Sequence, residues 1–168
     1  MPELYISTSE ALWFTPFVLP ICYWVALTDL REMKITNKAV LTLTAVFLII
    51  GLIALPSFAD YGWRLVHLVV VLVIGIAFNA AGLIGAGDAK FAAAAAPFIL
   101  LSDMPSLSLI FAANLLASFA THRMAKHSPL RRLAPDWKSW SSGNKFPMGI
   151  SLGGTLAIYM VLGVVFGT

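Results

Sequence analysis

The chain has 168 residues, of which 60% are apolar and only 11% are charged, and its mean hydropathy is +0.88. About a quarter of the residues in a soluble domain are charged, so this composition excludes a disordered chain and argues against a soluble globular domain. At about 20 apolar residues for each membrane-spanning helix, the length accommodates about six helices and no separate soluble domain.

Six apolar segments follow one another along the chain, and each predicts a helix in the bilayer. They cover approximately residues 11–28, 39–58, 65–84, 89–101, 105–121 and 148–166. The fourth is short and rich in alanine, so it either takes residues from the preceding glycine loop or lies tilted or partly buried. The sequence therefore predicts an all-α polytopic membrane protein that forms a single membrane-embedded domain over residues 1–168. The N-terminal tail has no basic residue, so the first helix is expected to be retained rather than removed as a signal peptide.

Basic residues are distributed unevenly among the links that join these helices. The first, third and fifth links hold all but one of them: Arg31, Lys34, Lys38, Lys90, Arg123, Lys126, Arg131, Arg132, Lys138 and Lys145. The opposite side holds Arg64 alone. The positive-inside rule therefore places these three links in the cytoplasm and both termini outside. The same distribution explains the net charge of +3 without a nucleic-acid partner.

Few polar residues other than the acids stand out. The longest polar stretch is the predicted cytoplasmic loop 122–145, which contains Trp137 and Trp140. Tryptophans are typical of a loop at the lipid headgroups, although a contact surface for a substrate or partner stays open. Asn79 and Asn114 lie within predicted helices and are expected to bridge neighbouring helices. The single cysteine, Cys22, excludes an internal disulfide framework and a multi-cysteine zinc site.

The eight acidic residues are few enough to be sorted individually. Six are assigned to tails, ordinary turns and loops: Glu3, Glu10, Glu32, Asp60, Asp103 and Asp136. The other two, Asp29 and Asp88, each lie at the cytoplasmic end of an apolar helix. Two carboxylates that face each other share a proton, so one can activate a water while the other protonates a carbonyl oxygen or a leaving amine. That is the chemistry of an aspartic peptidase.

The sequence around Asp88 indicates a functional site more strongly than the sequence around Asp29 does. Asp88 follows a glycine-rich run, Gly82–Gly87, and glycine lets another part of the chain approach closely and caps helix ends. Non-helical backbone at membrane depth is tolerated where it is buried in protein or lines a wet cavity. A capped helix end with Asp88 paired to Lys90 remains an alternative. Asp29, which precedes basic residues at a cytoplasmic boundary, is a weak signal when it is taken alone.

At this point the chain resembles a known family. Gly85-Ala86-Gly87-Asp88 matches the Gly-x-Gly-Asp (GxGD) signature of membrane aspartic peptidases. Asp29–Lys38 resembles the first-aspartate motif of the type IV prepilin peptidases. The length, the six helices and the sequence Gly-Asp-Ala-Lys-Phe that begins at Gly87 are similar to the short, peptidase-only TadV/CpaA-type branch of the Flp (tight-adherence) pilus systems. Phe146–Ile150, with Gly153-Gly154, resembles the start of that branch's final helix.

The resemblance implies a bacterial inner-membrane aspartic endopeptidase that cuts the short basic leader from a pilin precursor at the cytoplasmic face of the membrane. It implies that Asp29 and Asp88 form the catalytic dyad and that the loop with Gly85 and Gly87 positions Asp88. The pilin precursor and the lipid bilayer are the implied partners, with no cofactor and no metal. Larger family members carry an extra cytoplasmic domain with cysteine pairs and methylate the new pilin terminus, so we expect no methyltransferase activity here.

One departure from the family pattern lies in the first-aspartate motif. The family often has Ile-Pro-Asn where this chain has Ile35-Thr36-Asn37, and losing the proline removes a restraint on φ. Two functions of other classes also stay open. The two acids can form the relay of a small proton-coupled transporter or channel, because acids within membrane proteins commonly mark ion pathways. The chain can also be a non-catalytic membrane scaffold in pilus assembly.

Overall fold

A computed structural model describes residues 4–143 and 145–168, and Glu3 therefore lies outside the described residues. The described residues form six α-helices: α1 Thr8–Glu32, α2 Asn37–Ala54, α3 Phe58–Ala80, α4 Ala86–Ala95, α5 Met104–Lys126 and α6 Met148–Phe166. Short 3₁₀ turns lie between α4 and α5 and between α5 and α6: Ala96–Phe98, Leu101–Asp103, Pro129–Leu133 and Lys138–Trp140. The prediction of an all-α polytopic membrane protein is confirmed.

The helices differ in whether they are long enough to cross a bilayer. α1, α2, α3, α6 and the stretch Leu101–Lys126, which includes α5, are long and apolar enough to do so. α4 has ten residues, so it is about 15 Å long, half of a hydrocarbon core of about 30 Å. Most of its residues after Asp88 are buried, which agrees with the partly buried form of the fourth segment. Six full spans remain a prediction.

Several helices begin or end a few residues from their approximate predicted bounds, and local chemistry explains the differences. α1 begins three residues early at Thr8 because the Ser7 side chain accepts a hydrogen bond from Glu10 N, a typical N-cap. α5 continues to Lys126 rather than 121, so the link to α6 starts at residue 127 instead of 122. Basic side chains in this last turn complement the negative end of the helix dipole. α4 starts at Ala86 rather than 89 because Gly85 is its N-cap.

The segment from Gly87 to Asp103, which contains most of α4, extends along the whole length of the bundle. At one end, Gly87 lies against Ile35, just beyond the C-terminus of α1. At the other end, Asp103 accepts hydrogen bonds from Tyr5 N and Ile6 N, just before α1 begins. α1 has 25 residues and is therefore about 37 Å long. Residues between Gly87 and Asp103 cover this distance by combining a short helix with extended and 3₁₀ backbone.

α1 occupies the centre of the bundle and packs most extensively along α6. Glycines on α6 allow this close approach: a Cβ at Gly153 would lie 3.0 Å from the Cys22 carbonyl oxygen, and one at Gly163 would lie 3.0 Å from the Ala11 Cβ. Small residues at helix interfaces are the usual means of tight packing in membranes. The N- and C-terminal segments meet at one end of this pair, where Thr168 N donates to Ile6 O at 3.2 Å. This end, opposite Asp29, is called the outer end below.

A buried ion pair holds the outer end together. Arg64 Nη2 lies 3.0 Å from Glu10 Oε2, and Arg64 Nη1 donates to the Pro97 carbonyl oxygen at 3.1 Å. The assignment of Glu10 to a simple outer tail was therefore wrong, because a buried carboxylate needs such a partner. Asp60 remains exposed, but the prediction of an outer turn was wrong, because Asp60 lies in the first turn of α3. Asp60 N donates to the Ser57 cap, and Ser57 Oγ donates to the Asp60 carboxylate.

Asp103 also proves to be more than an ordinary turn residue. Its side chain is fully buried and accepts hydrogen bonds from Tyr5 N at 2.7 Å, Ile6 N at 3.0 Å and Tyr159 Oη at 2.6 Å. These partners come from the N-terminal segment and from α6, so one carboxylate ties three parts of the chain together. Its sequence neighbours indicate only a turn, because the partners are remote in sequence.

Candidate active site

Asp29 and Asp88 line the same cavity, at the opposite end of the bundle from Asp103. Asp29 lies in the last turn of α1 and Asp88 in the first turn of α4. The cavity has a volume of about 380 Å³ and is lined by Asp29, Met33, Lys34, Ile35, Asn37, Gly85, Ala86, Gly87, Asp88, Lys90 and Met148. The structure thus brings together all four residues that the sequence selected.

The carboxylate of Asp29 is held by the start of α6. Asp29 is only 6% exposed, and its Oδ2 accepts a hydrogen bond of 2.6 Å from the backbone N–H of Gly149. Gly149 is the second residue of α6, where backbone N–H groups lack partners within the helix. This short, charge-assisted contact fixes the orientation of the Asp29 carboxylate relative to α6.

Gly149 is a site residue that sequence reasoning missed, because it was noted only as part of the start of the final helix. A Cβ at this position would lie 2.8 Å from the Asp29 Cβ and 2.9 Å from its Oδ2, closer than real side chains approach. Glycine disfavours helix, so a glycine in the first turn of an apolar helix was the available signal of close packing. The sequence could not show that the residue packed there is Asp29.

The carboxylate of Asp88 folds back onto its own helix N-terminus. Asp88 is the third residue of α4, the position whose side chain turns back toward the N-cap in a capping box, and its Oδ2 lies beside the N-cap Gly85. A Cβ at Gly85 would lie 2.8 Å from Asp88 Oδ2, so glycine is needed there for space. Burial raises the pKa of Asp88 above its ordinary value, which makes it easier for the carboxyl to hold a proton.

The glycines before Asp88 have two different structural roles. Gly82 has φ of +73°, the left-handed conformation that ends α3 in the usual glycine-dependent way. Gly87 instead permits close approach, since a Cβ there would lie 3.2 Å from the Ile35 Cβ. The glycine run therefore ends one helix and then brings the start of α4 against the link between α1 and α2.

Lys90 connects the segment around Asp88 to Asn37 of the first-aspartate motif, and it does not form an ion pair with Asp88. Its Nζ donates to Asn37 Oδ1 on α2 at 3.2 Å, and within residues 4–143 and 145–168 the ion pair that forms is the one between Arg64 and Glu10. The alternative of an Asp88–Lys90 pair was therefore wrong. An amide oxygen holds the ammonium group in place and leaves the Asp88 carboxyl without a countercharge from it.

Thr36 compensates for the proline that the first-aspartate motif lacks. Its φ of −78° lies close to the value of about −65° that a proline would impose. The Thr36 side chain also accepts a hydrogen bond from Ala39 N at 3.3 Å and so caps α2. A side-chain cap, which proline cannot provide, defines this turn.

The two amides within the helices behave differently from each other. Asn114 on α5 donates to the Ser151 carbonyl oxygen at 2.8 Å and to Thr155 Oγ1 at 3.2 Å, both on α6, so its predicted bridging role is confirmed. Asn79 donates instead to the Ile84 carbonyl oxygen at 2.8 Å. The prediction of a helix bridge at Asn79 was wrong, and this residue holds the loop that leads to Asp88.

The fold and this cavity define a class of protein: a polytopic helical membrane protein in which two carboxylates converge where α1 and α4 meet. A model of the type IV leader peptidase family matches residues 17–121, more than half of the chain, and the protein belongs to this family. Membership indicates a peptidase of type IV pilus systems that acts on pilin precursors. The matched range includes Asp29 and Asp88 but not α6. No curated protein and no solved structure matches the chain significantly.

Proposed function

We propose that the protein is an aspartic endopeptidase that removes the leader from Flp-type prepilins at the cytoplasmic face of the bacterial inner membrane. Asp29 and Asp88 are the catalytic dyad, and Gly85 and Gly87 position Asp88. The observation that carries the proposal is the convergence of these two acids in one cavity, although they lie on different helices and far apart in sequence.

In the proposed reaction the dyad carries one proton between its two carboxyls. The ionised carboxylate takes a proton from a water molecule, and the water oxygen attacks the carbonyl carbon of the scissile peptide bond. The protonated carboxyl donates its proton to the carbonyl oxygen, and the tetrahedral intermediate forms. As the C–N bond breaks, the leaving nitrogen receives a proton from the dyad, and a hydroxyl of the intermediate returns a proton to the dyad as the carbonyl re-forms. These steps yield the shortened pilin, the free leader and the dyad with its single proton restored.

The orientation follows from the links that flank the cavity. Arg31, Lys34 and Lys38 lie at the same end of the bundle as the two acids. Basic residues in short links remain on the cytoplasmic side. The dyad in this proposal therefore faces the cytoplasm, where the basic leader of a membrane-inserted precursor would lie.

An apolar groove supports a substrate whose uncleaved part is a membrane helix. A cavity of about 300 Å³ lies among α3, α4, α5 and α6. Its α4 wall includes Ala92 and Ala95, which lie four and seven residues after Asp88 and thus on the same face of the helix. A helix packed against these small side chains would lead its N-terminal end directly to Asp88.

We expect Ala92→Phe to impair cleavage of a full-length precursor at least about tenfold, because the ring fills the groove where the substrate helix packs. A soluble peptide that spans the cleavage site but lacks the hydrophobic helix should be cleaved at the wild-type rate. Ala113→Phe on the exposed face of α5 is the matched control and should leave both substrates unaffected. Equal cleavage of the precursor by both variants would contradict this use of the groove.

The proposed function itself is tested with purified protein in detergent. Flp-type precursors should be shortened at one peptide bond, and mass spectrometry should show a new N-terminus without a methyl group, since no methyltransferase activity is expected. An added methyl group would remove the peptidase-only assignment. If no precursor is cleaved by protein that retains its helical circular dichroism, the scaffold and transporter functions take precedence.

A further inference from the structure

We propose that a second cavity, centred on His122, binds a peptide unit of the substrate beside the scissile bond. The inference rests on the proposed function and deepens it, because it assigns a binding role to the α5–α6 link. The cavity has a volume of about 400 Å³ and is lined by Leu30, Asn114, Ala117, Ser118, Thr121, His122, Ala125, Trp137, Trp140 and Ile150. Such a volume lies within the usual range for ligand sites, about 300–1,000 Å³.

The cavity adjoins the candidate dyad through two chain neighbours. Leu30 follows Asp29 on α1, and Ile150 follows Gly149, the residue that holds the Asp29 carboxylate. The two cavities therefore lie on either side of the contact between the end of α1 and the start of α6. A substrate chain in an extended conformation rises about 3.3 Å per residue, so a few residues span from one cavity to the next.

His122 is the residue of this cavity whose hydrogen-bonding atoms are unsatisfied. The side chain is 5% exposed, yet neither Nδ1 nor Nε2 has a hydrogen-bond partner. Buried polar atoms in native proteins are nearly always paired, and leaving one unpaired is costly. Both nitrogens have almost no accessible surface, so a group that enters the cavity pairs with one of them once a neighbouring side chain is displaced.

Aromatic neighbours hold this imidazole in a fixed plane. The His122 ring stacks on Trp140 at 5.2 Å between centroids, and Trp140 stacks on Trp137 at 5.5 Å. Phe146 meets the His122 ring edge-on at 5.7 Å. The Trp140 indole N–H is bound to the Ala134 carbonyl oxygen at 2.7 Å, which anchors the stack to the link. The ring is therefore preorganised, which lowers the entropic cost of binding.

The lining chemistry selects an uncharged, hydrogen-bonding ligand. A neutral imidazole offers one N–H donor and one nitrogen acceptor, and a peptide unit offers one carbonyl acceptor and one N–H donor. The hydroxyls of Ser118 and Thr121 add polar contacts along the same side of α5. Although basic residues are frequent in the link, none lines this cavity, so a peptide segment fits better than an anionic lipid headgroup.

The test compares His122→Phe with the wild-type protein on a precursor. Phenylalanine keeps the stacked ring but removes both nitrogens, so KM should rise about tenfold, the factor for one or two lost hydrogen bonds, while kcat changes less than twofold. The melting temperature should not fall, because two unpaired buried nitrogens are removed. His122→Asn, which keeps a donor and an acceptor, should recover part of the lost affinity. His127→Phe, at an exposed position just after α5, should behave as wild type.

The outcomes separate this inference from the proposed function. If the wild-type protein cleaves no precursor, the proposed function fails. If the wild type cleaves and His122→Phe has an unchanged KM, or loses only kcat, the substrate-binding role is wrong. Activity measured in phosphatidylcholine vesicles with and without phosphatidylglycerol distinguishes a lipid occupant. A stimulation by phosphatidylglycerol that His122→Phe abolishes would also overturn the peptide assignment.

Discussion

Asp29→Asn and Asp88→Asn are each expected to lower kcat/KM for cleavage of a precursor by at least about 10³-fold, as is typical when one member of a catalytic unit is removed. An amide keeps the size of the carboxyl and can still hydrogen-bond, but it can neither take a proton from water nor carry the shared proton. Rates are measured with purified variants by mass spectrometry of the released leader. The double variant should be scarcely slower than either single one, because the two acids act as a unit.

Asp60→Asn is the matched control for these variants. Asp60 is exposed and hydrogen-bonds only within the cap of α3 at the outer end of the bundle. Asparagine there should change kcat/KM by less than about twofold, since surface substitutions have small effects. Wild-type cleavage by Asp29→Asn or Asp88→Asn would show that the dyad is wrong, and loss of cleavage in Asp60→Asn would undermine the assignment of sides.

Gly149→Ala is expected to lower kcat by at least about 100-fold, because a displacement of about 1 Å at a catalytic group can cost that much. The added Cβ would lie 2.8 Å from the Asp29 Cβ, so either Asp29 or the start of α6 must move. Movement also stretches the 2.6 Å hydrogen bond between Gly149 N and Asp29 Oδ2. KM should change little, since Gly149 acts through Asp29 rather than by touching the substrate helix.

Gly62→Ala separates this effect from the general cost of changing a helical glycine. Gly62 lies in α3, and a Cβ there would meet nothing within 4 Å. Alanine should therefore leave cleavage unchanged and raise the free energy of unfolding by up to about 1 kcal/mol, the difference in helix propensity. Gly149→Ala with wild-type kcat would show that the contact with Asp29 is not needed for catalysis.

The helices could be predicted from local runs of apolar residues. The placement of Asp29 and Asp88 at one end of the bundle could be predicted from the distribution of basic residues along the whole chain. Runs of apolar residues predict helices whatever surrounds them, since a bilayer requires satisfied backbone groups. The uneven distribution of basic residues indicated which helix ends share a side. These two arguments were sufficient to single out Asp29 and Asp88 and to place both at one end of the bundle.

Contacts between remote residues could not be predicted in this way. Gly149 and Asp29 lie 120 residues apart, and Asp103 and Tyr5 lie 98 apart, so their neighbours in sequence contain no sign of the partner. The same holds for the buried pair of Glu10 and Arg64, which composition alone treats as two separate surface charges. Such contacts depend on how helices pack, which hydropathy does not determine.

Different contacts hold the two ends of α4. Beyond its outer end, Pro97 accepts from Arg64 and Leu100 N donates to Tyr159 Oη. Its inner end is held by the packing of Gly87 on Ile35 and by the exposed contact of Lys90 with Asn37. For an arm of about 15 Å, a tilt of about 8° around the fixed end displaces the tip by about 2 Å. Asp88 lies near that tip, so a tilt of this size would change the gap between Asp88 and Asp29.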